Sequence, residues 1–138
     1  MESKKFTINS AYKNVSSVCF ITKTFCEEHN ITEETIREIE LSLAEALNNV
    51  IKHSYKGDET NKIDIEMTYV NNQILLNLSD FGEPRKNLKK PVLEFDPEDI
   101  DSLPEGGMGL FIIEQLMDEN KYSIDGNKNT FTLVKNIK

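Results

Sequence analysis

Two runs of strict alternation, separated by a pair of asparagines, constrain this chain more than any other feature. Ile63, Ile65, Met67 and Tyr69 take every second position over residues 62–69, and Ile74, Leu76 and Leu78 do the same over 73–79. A period of two puts each set on one face of a strand. Asn71-Asn72 lies between the runs, and asparagine tolerates the positive φ that a tight hairpin turn requires. The region reads as an antiparallel hairpin with one apolar face, which a second layer must cover.

The flanking sequence supplies that layer. Residues 3–8, with Phe6 and Ile8 on one face, read as a further strand. Ser10 is placed to cap a helix over about 11–29, where Val15, Val18, Cys19, Thr22, Phe25 and Cys26 recur at helical spacing. Asn30 or Thr32 caps a second helix that runs to about Tyr55, with Glu33 and Glu34 in its favourable first turn. Its apolar stripe is Ile36, Ile39, Leu43, Leu47 and Val50, and Gly57-Asp58 ends it. After the hairpin, residues 84–105 are aperiodic and interrupted by prolines, as long functional or mobile segments are. Gly106-Gly107-Met108-Gly109 then enters a helix over about 110–119. Strands near 121–125 and 130–136, joined by a turn at 126–129, close the chain. This order predicts an α+β fold, a two-layer α/β sandwich with helices on one face of a mixed, mostly antiparallel sheet.

Length and charge narrow the function. A chain of 138 residues suits one domain, 1–138. With 16 Lys+Arg against 24 Asp+Glu the net charge is −8, the wrong sign for contacts to nucleic-acid phosphates. The N-terminus has no apolar core of a signal peptide, and no apolar run is long enough to span a membrane. Cys19 and Cys26, seven residues apart on one helix, would be roughly 10 Å apart, too far for a disulfide. They read as reduced thiols of a cytoplasmic protein. His29 and His53 lack metal-ligand spacing, so no zinc site is expected.

Three features carry chemistry. Glu45, Asn49, Lys52 and His53 share one side of the second helix, opposite its apolar stripe. Periodicity alone reads this as a solvated face, yet Asn48-Asn49 is poor chemistry for a helix interior. Glu45 and Asn49, one turn apart, offer a carboxylate base and a neutral oxygen ligand to one bound group. Asp80-Phe81-Gly82 at a strand end is either an ordinary turn or a carboxylate poised to accept from an amino group. The glycines before the last helix are either a hinge or a place where backbone N–H groups meet an anion. No Gly-Lys-Ser/Thr follows, so this is not a P-loop.

Taken in order, the three features resemble the Bergerat (GHKL) ATP-binding fold over about residues 6–136. The stretches 45–55 and 105–119 look more narrowly like those of bacterial anti-sigma-factor serine/threonine-protein kinases. Pro84 stands where many superfamily members carry a second glycine, a trait of the smaller anti-sigma group. The resemblance implies Mg-ATP as ligand. Asp80 would accept from the adenine amino group, with Gly82 allowing close approach of the base and Thr130 beside the adenine. Asn49 would bind Mg²⁺. Gly107 and Gly109, with the Met108 and Leu110 amides, would cradle the phosphates under a lid of residues 85–105. Glu45 would be the catalytic base, with Lys52 and His53 left open between packing and catalysis. The implied partners are a sigma factor, held inactive, and an anti-anti-sigma (STAS-type) protein phosphorylated on serine, with the kinase a homodimer. The alternative is a nucleotide-dependent anti-sigma module without kinase activity.

Overall fold

A computed structural model describes residues 1–84 and 108–137. The expected strand, helix, helix, hairpin, helix, hairpin order is present: β1 (Glu2–Asn9), α1 (Val15–Glu28), α2 (Glu33–Asn49), β2 (Lys62–Val70), β3 (Gln73–Asp80), α3 (Met108–Leu116), β4 (Glu119–Asp125) and β5 (Lys128–Asn136). The five strands form one sheet in the order β1-β2-β3-β5-β4. Among the described residues every pairing is antiparallel, in keeping with the mixed, mostly antiparallel sheet expected from sequence.

The hairpin forms as its pattern dictates. Val70 pairs with Gln73, and both Asn71 (φ 51°) and Asn72 (φ 58°) adopt the left-handed conformation of a two-residue turn. That register aligns Ile65 with Leu78 and Met67 with Leu76, and β5 adds Phe131 and Leu133 to the same face. The helices cover this face. Ile36, Ile39, Leu43 and Leu47 of α2 are buried in one cluster with Val18, Phe25 and Cys26 of α1 and Ile113 of α3. The Thr22 hydroxyl of α1 reaches the Met67 sulfur across the layers. The opposite face is polar, tied by cross-strand pairs such as Ser3–Thr68, Thr7–Asp64 and Asn77–Thr132.

Several boundaries differ from expectation. Ser10 does not cap α1. It is buried, and its hydroxyl donates to the Asp58 carbonyl while its N–H bonds to Asn61, joining the exit of β1 to the 58–61 turn. A short 3₁₀ turn, Tyr12–Asn14, precedes α1. Thr32 caps α2, its Oγ1 accepting from the Thr35 N–H at 3.3 Å, whereas Asn30 (φ 59°) makes the preceding left-handed bend. α2 does not run to Tyr55 as one regular helix: Val50–Ser54 form a π turn. The last helix stops at Leu116, because the Asp118 N–H is taken by the Val134 carbonyl and Glu119 already belongs to β4. Cys19 and Cys26 are free thiols, and burial pushes them up to about 11 and about 12, so both stay protonated at neutral pH.

Leu47 is fully buried between the layers. Leu47→Ala should lower unfolding stability by about 2–5 kcal/mol, the cost of an internal cavity. Urea titration followed by circular dichroism measures this.

Candidate active site

The π turn sets the site. It follows directly on Asn49, and the Tyr55 N–H closes it on the Val50 carbonyl, five residues back, at 3.2 Å. π turns are found mostly at functional positions, where the wider ring re-aims the side chains after it. Here it delivers Ser54 and Tyr55 to the end of β3. The Ser54 carbonyl accepts from the Glu83 N–H at 2.9 Å. The Tyr55 hydroxyl accepts from the Phe81 N–H at 2.8 Å and donates to the Lys62 carbonyl at 2.6 Å. Three backbone segments are thereby pinned around Asp80-Phe81-Gly82.

Gly82 is required sterically. A Cβ there would lie 2.3 Å from the Ser54 carbonyl oxygen and 2.9 Å from the Tyr55 ring. The obstacle is backbone, which cannot step aside as a flexible side chain does.

Asp80 is only 2% exposed. Its Oδ1 accepts from the Gly82 N–H at 3.0 Å and from the Asn129 side-chain amide at 2.9 Å, and the Ser54 hydroxyl also bonds the carboxyl. Burial pushes the Asp80 carboxyl above its ordinary range, and the Asn129, Gly82 and Ser54 donors offset part of that shift. Burial likewise raises the Tyr55 phenol, against the pull of the Phe81 N–H.

The other end of the site is a cleft of about 240 Å³ lined by Glu45, Asn48, Asn49, Lys52, His53, Gly109 and Leu110. Glu45 and Asn49 therefore face one space, as their spacing suggested, and the first turn of α3 closes it. A Cβ on Gly109 would sit 2.7 Å from Glu45 Oε2, so α3 approaches the carboxylate closely. Lys52 is exposed and His53 half-buried at the rim. Among the described residues no three His, Cys, Asp or Glu side chains cluster to hold a metal. A carboxamide oxygen beside an open cleft does fit Mg²⁺, which takes few protein ligands and fills its shell with water and phosphate.

Thr130 is not beside Asp80. It pairs with Ser79, their hydroxyls 3.1 Å apart, on the polar face of the sheet. Its neighbour Asn129 pairs with Asp80, and strand parity places it on the helix-covered face. Asn129, Ser54 and Tyr55 are the site residues that pattern reading missed. The Ser54-Tyr55 signal was present as the end of an over-long helix, but the parity of β5 needs the register. Gly107 and the segment 85–105 lie outside the described residues. Met108 is described only as the first residue of α3, and Leu110 lies in its first turn.

These features define a two-layer α+β domain with a buried carboxylate at a strand end and a cleft beside the first turn of α3. Residues 8–135 match the histidine kinase-like ATPase domain, and the chain belongs to that family. A serine-protein kinase RsbW from Listeria monocytogenes is 33% identical over 95 residues, covering 67% of this chain and 60% of the relative. The chain thus spans about three fifths of the curated relatives' length. Among solved structures, the RsbU and RsbW domains of Rv1364c from Mycobacterium tuberculosis superpose with a TM-score of 0.71 at 15% identity, over 99% of this chain and 32% of that one. The SiaB-SiaC complex from Pseudomonas aeruginosa gives 0.64 at 13% identity, over 97% and 88%. Both show the same fold. Among the described residues no helix is long and apolar enough to cross a membrane.

Two outcomes follow from the packing of Asp80 and Gly82. Because the folded state raises the Asp80 carboxyl, its ionisation subtracts from stability as pH rises from about 4 through the folded value. Asp80→Asn should therefore melt at or above the wild-type temperature at pH 7 without nucleotide, and the difference should shrink as pH falls toward 4. Gly82→Ala should instead lose about 1–3 kcal/mol from overpacking against backbone. Thermal melts across pH read both.

Proposed function

We propose that this chain binds Mg-ATP between Asp80 and the Glu45/Asn49 cleft, transfers the γ-phosphoryl group to a serine of an anti-anti-sigma protein, and sequesters a sigma factor. The observation that carries this reading is the pairing of Glu45 and Asn49 in one cleft closed by the first turn of α3. The family membership and the names of the curated relatives support it. The polar composition and net charge of −8 suit protein partners rather than nucleic acid. We place it in the cytoplasm, acting as a homodimer of one-domain subunits.

Asp80 accepts from the adenine amino group, and Gly82 lets the base approach. The Gly109 and Leu110 backbone, with Met108 before them, borders the phosphates at the positive end of α3. Asn49 offers its side-chain oxygen to Mg²⁺, which when bound neutralises phosphate charge. Glu45 takes the proton of the serine hydroxyl as that oxygen bonds to the γ-phosphorus and the bond to the β–γ bridging oxygen breaks, releasing ADP. Phosphoryl transfer is mostly positioning and charge neutralisation, so the base need not be strong.

With labelled ATP and a cognate antagonist, Glu45→Gln should retain Mg-ATP binding and lose ~10²–10⁴-fold in transfer, the share usual for general acid–base catalysis. Asn49→Ala should lose metal-dependent binding and transfer together. Gly109→Ala should fold normally, since only the tip of Glu45 must move, yet slow transfer by displacing that carboxylate. Transfer by Glu45→Gln at the wild-type rate would remove Glu45 as the base. Sigma-factor binding without any phosphorylation by the wild type would favour the non-kinase module.

A further inference from the structure

The geometry points to Asn129 as the residue that positions Asp80 and presents it to the base as an acceptor. This rests on the nucleotide reading above. Asn129 is 1% exposed and pairs with Asp80 across β3 and β5. Its amide nitrogen donates to Asp80 Oδ1 at 2.9 Å and to the Gly82 carbonyl at 3.0 Å. Both of its N–H bonds are thus spent on the turn that reads the base. The first steadies the buried carboxylate, and the second ties the start of β5 to Gly82, beside which the proposed base would lie.

Asparagine is suited to this work. Two hydrogens on one planar nitrogen bridge a side chain and a main-chain carbonyl at once, which a single hydroxyl hydrogen cannot do. An ionised carboxylate has about four acceptor sites, so Asp80 keeps capacity to accept from a ligand amino group beside the donors it already holds. Of the other groups that bear on Asp80, the Gly82 N–H and Ser54 hydroxyl are neutral donors. Tyr55, just after the π turn, is titratable and feels both Asp80 and Asp64 of β2. Asn129 is the donor brought from the far strand, so its loss frees the carboxylate to turn.

The test uses the full chain and Mg-ADP, which avoids turnover, with calorimetry between pH 5.5 and 8. At pH 7.5 Asn129→Ala should bind roughly 10- to 100-fold more weakly, the weight of a hydrogen bond to a charged group. Its deficit relative to wild type should widen as pH falls, because an unsupported carboxylate takes up a proton sooner. Asn129→Asp should behave oppositely. It sets two carboxyls side by side, and the proton they share at lower pH restores a donor to Asp80, so its deficit should shrink on acidification. Comparison with wild type at each pH cancels titration of the nucleotide itself. Carboxyl-carbon NMR without nucleotide adds an independent readout: the Asp80 titration should move up in Asn129→Ala. Wild-type affinity in both variants, parallel pH dependences, or an unmoved Asp80 titration would overturn the role of Asn129 while leaving the site intact. Failure of the wild type to bind Mg-ADP would overturn the reading of the site itself.

Discussion

The Ser54 carbonyl is the contact through which the helical layer grips the end of the sheet. It receives the Glu83 N–H and sits where any side chain on residue 82 would need to be. Through it the last turn after α2 and the last residues of β3 become one unit. Tyr55 extends the grip to the start of β2 by bridging Phe81 and Lys62. Since Glu45 and Asn49 lie on the same helical run, fixing Ser54 against Gly82 also fixes the distance between the two ends of the site. A helix of uniform pitch would aim residues 54 and 55 differently, so the π turn is part of the machinery rather than a flaw in α2.

Two different kinds of polar group are held at those ends. Asp80 is buried at a strand end, raised by desolvation and steadied by neutral donors, an arrangement that costs stability and leaves an acceptor ready. Glu45 and Asn49 sit half-buried at the mouth of a cleft against the first turn of α3. The first end suits discrimination, because a buried acceptor left unpaired penalises the wrong ligand. The second suits charged groups that need water and a metal ion, because desolvation there is incomplete. This division suits the nucleotide proposed as ligand, which has a flat, weakly polar base and a highly charged tail.

The glycines differ in what they protect. At Gly82 the neighbour is backbone, so the requirement is on the fold of the turn. At Gly109 the neighbour is the end of the Glu45 side chain, so the requirement is on where a carboxylate stands. Substitution at the two positions therefore separates architecture from chemistry.

Much of this was legible from sequence. The alternation about Asn71-Asn72 specified the hairpin, because period two and a left-handed turn leave little choice. The stripe of α2 specified its buried face, and four-residue spacing brought Glu45 and Asn49 together, because a helix makes neighbours of such residues whatever packs around it. Three things were decided only by tertiary structure. Ser10 had the composition of a helix cap but was taken by the 58–61 turn. The end of α2 widened to meet β3, a contact between segments about 28 residues apart that no local propensity encodes. Asn129, read from sequence only as part of a turn, faces Asp80 where Thr130 was expected near the base, because the face a strand residue occupies depends on its register with its partner, and a shift of one residue inverts it. Local periodicity determined which residues formed the elements; long-range pairing decided which of two adjacent polar side chains reached the buried carboxylate.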